Sequence, residues 1–313
     1  MAANLAPAPA SLPSPSGGAS GAGPRVLLRR AAGTGLRLVG ILPFSAYVLL
    51  GLILPTIAIA VGAFQDSVTG KFTFSNIDVA THGVYLTGFK TGLELAVLAA
   101  VIPGVLGFLI AYAIHTAERG NLLRRVAITA SGVFANFGGV PLAFLFIATL
   151  GTTGIVTGWL KDVGLDIYSG SFSLFTVEGV LLAYMYFQIP LMVLVILPAL
   201  EGLRPAWREA ASNLGASSWH FWRYVGGPVL APAFLGCVLL LFGSAFSAYA
   251  TAEAMTAGAL PLTAIQIGSF LNGNVIAGQQ NVGKALGLGM VLIIAIVMII
   301  YTMLQRRAAR WLR

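Results

Sequence analysis

The chain consists of long apolar tracts without charged side chains, separated by short segments in which the charges are concentrated. A helix rises about 1.5 Å per residue, so about 20 apolar residues cross a bilayer. Six tracts are long enough: residues 38–65, 95–117, 126–160, 179–200, 224–252 and 285–305. The tracts lack the alternation of barrel strands, and helices satisfy their own backbone amides in lipid. The pattern predicts an all-α, polytopic membrane protein with six transmembrane helices.

A further uncharged stretch, residues 254–283, is too polar for a seventh span. It carries the amide side chains of Gln266, Asn272, Asn274, Gln279, Gln280 and Asn281. We expect a loop there, with a short interfacial helix over residues 262–271. The polar stretch 66–87 predicts a loop with a short strand or turn.

Composition agrees with a membrane protein, since 58% of the residues are hydrophobic and 9% are charged, against about 25% charged in soluble domains. The net charge of +8 reflects 18 basic and 10 acidic residues. With six spans, every arginine falls on one side, and Lys71, Lys90, Lys161 and Lys284 fall on the other. The positive-inside rule therefore predicts a multi-pass protein of the cytoplasmic (inner) membrane with both termini in the cytoplasm. The basic residues therefore report topology and contact with membrane lipid, and no nucleic-acid partner is expected.

The chain begins with a segment dominated by Ala, Pro, Ser and Gly. Such a composition buries too little apolar surface to fold. We expect residues 1–36 to form a disordered cytoplasmic tail and residues 37–313 to form the transmembrane domain. The single cysteine, Cys237, lies within the fifth span as a small buried hydrophobic residue.

The inner segment 201–228 is too polar to cross the membrane. Pro205 suits the first turn of a helix, Ala210 and Ala211 continue it, and Gly215 permits a sharp break before a second helix near Ser217. We expect a helix, a glycine break and a second helix on the cytoplasmic face.

This segment resembles the hallmark loop of the permeases of binding-protein-dependent ATP-binding cassette (ABC) importers. That loop reads Glu-Ala-Ala, three residues, Gly, nine residues, Ile, one residue, Leu-Pro. The chain has Glu209-Ala210-Ala211, Gly215, Val225 and Pro228 at those spacings. It departs from the pattern at Val225, a mild change, and at Gly227, which replaces Leu.

The resemblance implies the fold of a type I ABC importer permease and a non-catalytic chain, with ATP bound by a partner. It assigns the loop to coupling helices that dock on cytoplasmic ATPase subunits, with Arg208 and Glu209 offering charge pairing there. It further implies a second permease subunit, expected to be a different chain, and an extracytoplasmic solute-binding protein. The alternative for the loop is an ordinary amphipathic helix on the membrane surface.

Within that family the chain looks closest to the spermidine/putrescine-type permeases. The stretches 135–141 and 268–274 prompt this comparison. Permeases for iron(III), thiamine and aminophosphonates share much of the pattern, so these solutes stay open beside a polyamine.

Residues 278–284 match most of a phosphate-binding P-loop, ending at Lys284. The next residue is Ala285, where a P-loop needs a hydroxyl for magnesium, and the topology places the stretch on the side without ATP. We therefore expect no ATPase activity of the chain itself.

Polar residues within spans are candidates for a translocation path, since they are costly in lipid. Asn136 in the third span and Gln188 in the fourth stand out, and Tyr184 lies one turn from Gln188. The alternative is that they pack helices together.

Tyr249 and Glu253 are also spaced by four, near the outer end of the fifth span. A carboxylate and an aromatic ring suit a cationic solute. The alternative is an interfacial tyrosine beside a solvated acid.

The three histidines lie on separate loops without metal-ligand spacing, so no metal site, cofactor or enzyme chemistry is expected. Alternatives from other classes are an ATP-independent secondary transporter or channel, and a membrane scaffold. The secondary transporter predicts inverted repeats and charged residues in mid-membrane, and the scaffold leaves the Glu209 loop unexplained.

Overall fold

The computed structural model describes residues 42–117, 121–170, 172–273 and 278–310, without side chains at 307–310. The predicted tail over residues 1–36 lies outside these ranges. Within them the regular structure is helical apart from one isolated antiparallel bridge, between Gln65 and Phe72. The all-α prediction is confirmed.

Twelve helices are described in these ranges. They are α1, Leu42–Ala63; α2, Ser75–Ala80; α3, Gly83–Thr116; α4, Leu122–Asn136; α5, Val140–Leu150; α6, Ile155–Asp162; α7, Val177–Glu201; α8, Pro205–Asn213; α9, Ser218–Ser247; α10, Ala250–Thr256; α11, Thr263–Leu271; and α12, Val282–Arg310. Six segments are long and apolar enough to cross a membrane: α1, α3, α5 together with α6, α7, α9 and α12 as far as Arg306. The prediction of six transmembrane segments is confirmed.

The second span is longer than predicted, because α3 begins at Gly83 and includes Lys90 and Glu94. Its 34 residues give about 50 Å of helix, well beyond about 30 Å of hydrocarbon. The two charged side chains therefore belong to the part of the helix that leaves the apolar layer, where long charged side chains reach the interface.

The prediction of one continuous third span over residues 126–160 is wrong. Three helices replace it, with interruptions between Asn136 and Val140 and between Leu150 and Ile155. Glycine explains both, since Gly139 has a φ of +75° and a Cβ on Gly154 would lie 2.4 Å from the Thr149 carbonyl oxygen.

The fifth span also differs from the prediction. Helix α9 begins at Ser218, includes wider π-helical turns over Trp222–Gly226, and ends at Ser247 rather than near Ala252. A separate helix, α10, follows at Ala250. The helix expected over residues 262–271 is confirmed as α11, whereas the loop expected from residue 254 begins only after Thr256.

The chain divides into two compact units, of which the first ends at Ile57 and the second begins at Ala58. The described residues of the first unit form the start of α1, which contains π-helical turns over Leu49–Ile53. The hydroxyl of Thr56 donates a hydrogen bond of 2.7 Å to the carbonyl oxygen of Leu52, as threonine does within apolar helices.

In the second unit, α7 packs against α3, α4 and α9, and also contacts α5 and α10. Small residues let α3 approach closely, and those buried along it include Ala96, Ala100, Gly104, Gly107 and Ala111. A Cβ on Gly107 would lie 2.5 Å from the Cβ of Met192 and 2.8 Å from the carbonyl oxygen of Ile189. In lipid, where burial from water does not drive helix association, such close packing holds helices together.

The end of α1 in this unit is capped by side chains from two other segments. The Asn76 amide donates to the carbonyl oxygens of Ala63 (3.2 Å) and Gln65 (2.8 Å), and the Asn281 amide donates to Gln65 (2.8 Å). The Lys284 side chain lies against Gly62, where a cation suits the negative end of a helix. The P-loop-like stretch thus contains residues that complete a helix terminus.

The loop after α1 makes a turn, as predicted. The Asp66 carboxylate accepts hydrogen bonds from the backbone amides of Thr69 (2.7 Å) and Val68 (3.0 Å) and from the Thr69 hydroxyl (2.8 Å). These bonds, chiefly those from Thr69, hold the pKa of the Asp66 carboxyl below its usual value.

Candidate functional site

The segment 201–228, which we call the coupling segment, has the predicted helix–glycine–helix form. Helix α8 has Pro205 in its first turn, and Gly215 has a φ of +76°, a conformation that glycine adopts without strain. Ser217 then starts α9, and its hydroxyl accepts a 3.3 Å hydrogen bond from the His220 amide, which satisfies one free amide of the new helix.

Side chains of the coupling segment are largely exposed. Helix α8 has no buried residue, so Arg208, Glu209 and Ala210 are accessible, and Ala211 is half-buried. Leu214 at the tip is 88% exposed, and Trp219 and Tyr224 are exposed too. An exposed apolar patch rimmed by charges is typical of a protein-binding surface.

Beyond the tip, the coupling segment is anchored by Phe221, which is buried, while Val225 is half-buried and Pro228 is exposed. A Cβ on Gly227 would lie 2.5 Å from the carbonyl oxygen of Trp222. The wide turns before Gly227 therefore account for glycine where the family pattern has leucine.

One ion pair ties the start of the coupling segment to α4. Arg124 Nη2 of α4 lies 2.6 Å from Glu201 Oε1 at the end of α7, with side chains 19% and 43% exposed. A cavity of about 310 Å³ opens nearby, lined by residues that include His115, Arg204 and Arg208. We call this end of the second unit the arginine end.

Away from the arginine end, two helices are interrupted at neighbouring positions. Helix α4 stops before Gly139, and α9 stops before Ala248. The Gly139 amide donates a 2.9 Å hydrogen bond to the Thr251 hydroxyl of α10, and the Tyr184 hydroxyl donates a 3.1 Å bond to the Ala248 carbonyl oxygen. We call these two interruptions the helix-break site.

Aromatic rings surround the interruption between α4 and α5. The ring of Tyr186 on α7 packs against those of Phe134, Phe137 and Phe146, with centroids 5.4, 6.0 and 6.1 Å away. Offset and edge-to-face contacts of this kind are favourable. They hold both halves of the broken helix on α7.

Tyr184 and Gln188, predicted from the sequence as path residues, lie fully buried between helices. The Gln188 amide nitrogen donates a 2.9 Å hydrogen bond to the Leu241 carbonyl oxygen of α9, and Tyr184 supports the break in the same helix. Both side chains therefore join α7 to the α9–α10 region.

The other three candidates lie around the helix-break site. Asn136 is exposed at the end of α4, where its side-chain amide donates a 2.8 Å hydrogen bond to the Gly132 carbonyl oxygen. The ring of Tyr249 covers Gly268 of α11 beside a cavity of about 380 Å³. Glu253 is half-buried in α10, with its Oε2 atom enclosed. The structure thus groups Asn136, Tyr249 and Glu253 near the interruptions, and their role in transport stays a prediction.

Sequence reasoning missed Gly139, Thr251 and Tyr186 as organisers of the helix-break site. A signal was present, because Gly138-Gly139 followed by Pro141 is typical of a helix end and a new helix start. Thr251 and Tyr186 carry no local signal. In the described parts of the chain, no group of three His, Cys, Asp or Glu residues is placed to hold a metal ion.

Comparison with known proteins gives two kinds of relative. A probable sulfate transport system permease protein of Nephroselmis olivacea is 29% identical over 205 residues, covering 65% of this chain and 67% of that protein. A thiamine transport system permease protein of Escherichia coli (strain K12) is 30% identical over 168 residues, covering 52% of this chain but only 29% of that protein. No protein-family model matches the chain.

Among solved structures, the bacterial alginate ABC transporter in complex with an alginate pentasaccharide-bound periplasmic protein contains a chain with a TM-score of 0.71. The match covers 90% of this chain and 97% of that chain at 18% identity. The chain therefore has the fold of an ABC importer permease, and this predicted fold class is confirmed.

Proposed function

We propose that the chain is a permease subunit of an ABC importer, which moves a small solute across the cytoplasmic membrane by alternating access. The observation that carries the proposal is the exposed coupling segment with its Glu209-Ala210-Ala211 and Gly215 pattern. It projects from a fold shared with the alginate importer. A separate ATPase subunit binds this segment and supplies ATP hydrolysis.

The proposed mechanism passes movement from the coupling segment to the helix-break site. Closure of the ATPase displaces the segment, and the ion pair between Glu201 and Arg124 transmits that displacement to α4. Helix α4 ends at Asn136, shortly before Gly139, and interrupted helices hinge more easily there than a continuous rod. Irregular backbone at membrane depth is tolerated where it is packed in protein or lines a cavity, and transporters use such interruptions at their solute sites.

The proposed assembly contains ATPase subunits, a second permease, expected to be a different chain, and an extracytoplasmic solute-binding protein. The alginate importer was solved with its periplasmic protein, which supports the last of these partners. The sequence predicts cytoplasmic termini from the placement of its arginines, and this prediction agrees with an ATPase at the arginine end.

For the solute, we place sulfate and thiamine ahead of a polyamine. Sulfate and thiamine are the solutes named for the relatives described above, whereas the polyamine prediction has no support among them. Uptake of labelled sulfate, thiamine and putrescine by one reconstituted complex ranks the three.

The test of the proposed function uses two variants of the coupling segment and one control. Glu209→Lys reverses a charge on the exposed surface. Gly215→Pro imposes a φ near −65° where the backbone has +76°. It also removes the backbone amide that donates a 2.9 Å hydrogen bond to the carbonyl oxygen of Ser212. Gly215→Asn is the control, because asparagine tolerates the left-handed conformation.

We expect the two variants to lose co-purification with the ATPase subunit and ATP-dependent uptake, and the control to retain both. If Glu209→Lys and Gly215→Pro keep complex formation and ATP-dependent uptake, the importer assignment is wrong. Uptake that proceeds without ATP would favour the secondary transporter or channel.

A further inference from the structure

The exposed face of α4 is divided lengthwise into a polar and an apolar edge. Arg125, Thr129, Gly132 and Asn136 follow one another at spacings of four, three and four, which places them on one side of a helix. We call them the polar edge. The apolar edge consists of Leu122, Val126 and Val133, all exposed, which lie beside it on the same helix.

Contacts of the opposite face fix the orientation of α4. Ser131 is 8% exposed, and Ala127 and Ile128 pack against the core on the side where α4 meets α7. Arg124, on the same side, pairs with Glu201. The polar edge therefore lies to one side of the contact with α7, with Arg125, Thr129 and Asn136 exposed and Gly132 half-buried.

A surface groove lies beside the polar edge at its arginine end. A cavity of about 230 Å³ is lined by Asn121, Arg124, Arg125, Ile128 and Thr129 at the arginine end. A Cβ on Gly132 would meet no atom within 4 Å. Asn136 lies about 16 Å further along the helix than Arg125, next to the helix-break site.

Hydroxyl, amide and guanidinium groups facing lipid are costly, whereas they are stable against water or a hydrated solute. The neighbouring apolar edge shows that α4 also has a surface suited to lipid or to an apolar partner face. The separation of the two edges indicates two different surroundings for one helix.

We propose that the polar edge of α4 is the wall of an aqueous solute path that runs from the helix-break site to the arginine end. This inference rests on the proposed transport function. The occupant is a small, hydrated solute that exchanges hydrogen bonds with the side chains of Thr129 and Asn136. Arg125 is the charged group of this edge and lies at its arginine end.

Single-cysteine variants test the path directly. Cys237 is buried in α9, and Cys237→Ala provides the parent chain. Thr129→Cys, Gly132→Cys and Asn136→Cys report on the polar edge, and Val126→Cys and Val133→Cys are matched controls on the apolar edge. The probe is a membrane-impermeant cationic methanethiosulfonate, applied to the full transporter complex in lipid nanodiscs, without nucleotide and with trapped ATP.

We expect the polar-edge cysteines to react about tenfold faster or more than the controls, because only the hydrated thiolate is reactive. We also expect their rates to change between the two nucleotide states. Equal rates at both edges, or faster reaction at the apolar edge, would overturn the proposal. Protection of the polar edge in both states would instead assign it to packing against the second permease, which also overturns it.

A variant with a larger side chain at position 132 distinguishes failure of the path assignment from failure of the proposed transport function. Gly132→Leu is expected to reduce uptake about tenfold or more while the complex and its ATPase rate are retained, and Val133→Leu is the control. If the Cys237→Ala parent shows ATP-dependent uptake but Gly132→Leu leaves it unchanged, the path assignment fails and the proposed function stands. If the parent shows no ATP-dependent uptake, the proposed function fails, and the alkylation pattern still decides whether the edge is aqueous.

Discussion

The backbone amide of Gly139 donates a 2.9 Å hydrogen bond to the hydroxyl of Thr251, 112 residues further along the chain. The bond joins the interruption between α4 and α5 to the first turn of α10. Two broken helices are thus linked by a single side chain that is 4% exposed. The geometry of one interruption therefore depends on the position of the other.

Replacing Gly139 by alanine is expected to destabilise the helix-break site. Gly139 has φ +75° and ψ −152°, a region that costs a residue with a Cβ on the order of 1–3 kcal/mol. Gly138→Ala is the matched control, since a Cβ there meets no atom within 4 Å. Thermal unfolding of the purified variants checks this, and equal midpoints for the two would contradict the role given to Gly139.

Thr251→Val is expected to weaken the same link without changing the shape of the side chain. A buried amide left without its acceptor costs about 1–3 kcal/mol. Thr251→Ser retains the hydroxyl and serves as the control. Unfolding midpoints and uptake rates should fall for valine and recover for serine, whereas a neutral valine variant would show that the bond contributes little.

Gly107→Ala is expected to push α3 away from α7. The added methyl group would overlap the side chain of Met192 and the carbonyl oxygen of Ile189, and overpacking of this kind costs about 1–3 kcal/mol. Gly243→Ala in α9 is the control, because a Cβ there has open space and alanine favours a helix. A Gly107→Ala protein as stable as the control would mean that α3 and α7 are less tightly packed than described.

The ion pair between Arg124 and Glu201 is expected to couple ATP hydrolysis to transport. Glu201→Gln should leave binding of the ATPase subunit intact but lower the solute moved per ATP hydrolysed. Exposed and half-exposed pairs contribute only about 0–1 kcal/mol to stability, so the unfolding midpoint should change little. The exchange Arg124→Glu with Glu201→Arg restores the pair, and failure of this double variant to recover uptake would argue against transmission through these residues.

The predictability of the fold differs from helix to helix. The span of α7 could be predicted closely, because charges or turn residues bound a single apolar run. The breaks in the third and fifth spans could not be predicted from hydropathy, since Asn136 to Val140 and Ser247 to Ala250 remain apolar or uncharged through the interruption. Hydropathy measures whether a segment enters lipid, and it does not register whether the backbone stays helical there.

In the candidate site, too, some features could be predicted from the sequence and others could not. The coupling segment was predictable because local signals, Pro205 at a helix start and Gly215 at a turn, determine its form. Burial of Tyr184 and Gln188 was not, because it depends on hydrogen bonds to Ala248 and Leu241, residues 64 and 53 positions away. Tertiary contacts decide whether a polar residue in a span faces a path or another helix.

The central claim is that a separate ATPase subunit binds the coupling segment. Leu214 at its tip and Leu122 at the start of α4 are 88% and 72% exposed, so they form a matched pair. In the Cys237→Ala parent, Leu214→Cys and Leu122→Cys are each labelled with a benzophenone maleimide and irradiated in the complex with the co-expressed ATPase subunit. We predict a strong crosslink to the ATPase from residue 214 and little from residue 122. Absence of a crosslink from residue 214, or equal yields from both positions, would contradict the account.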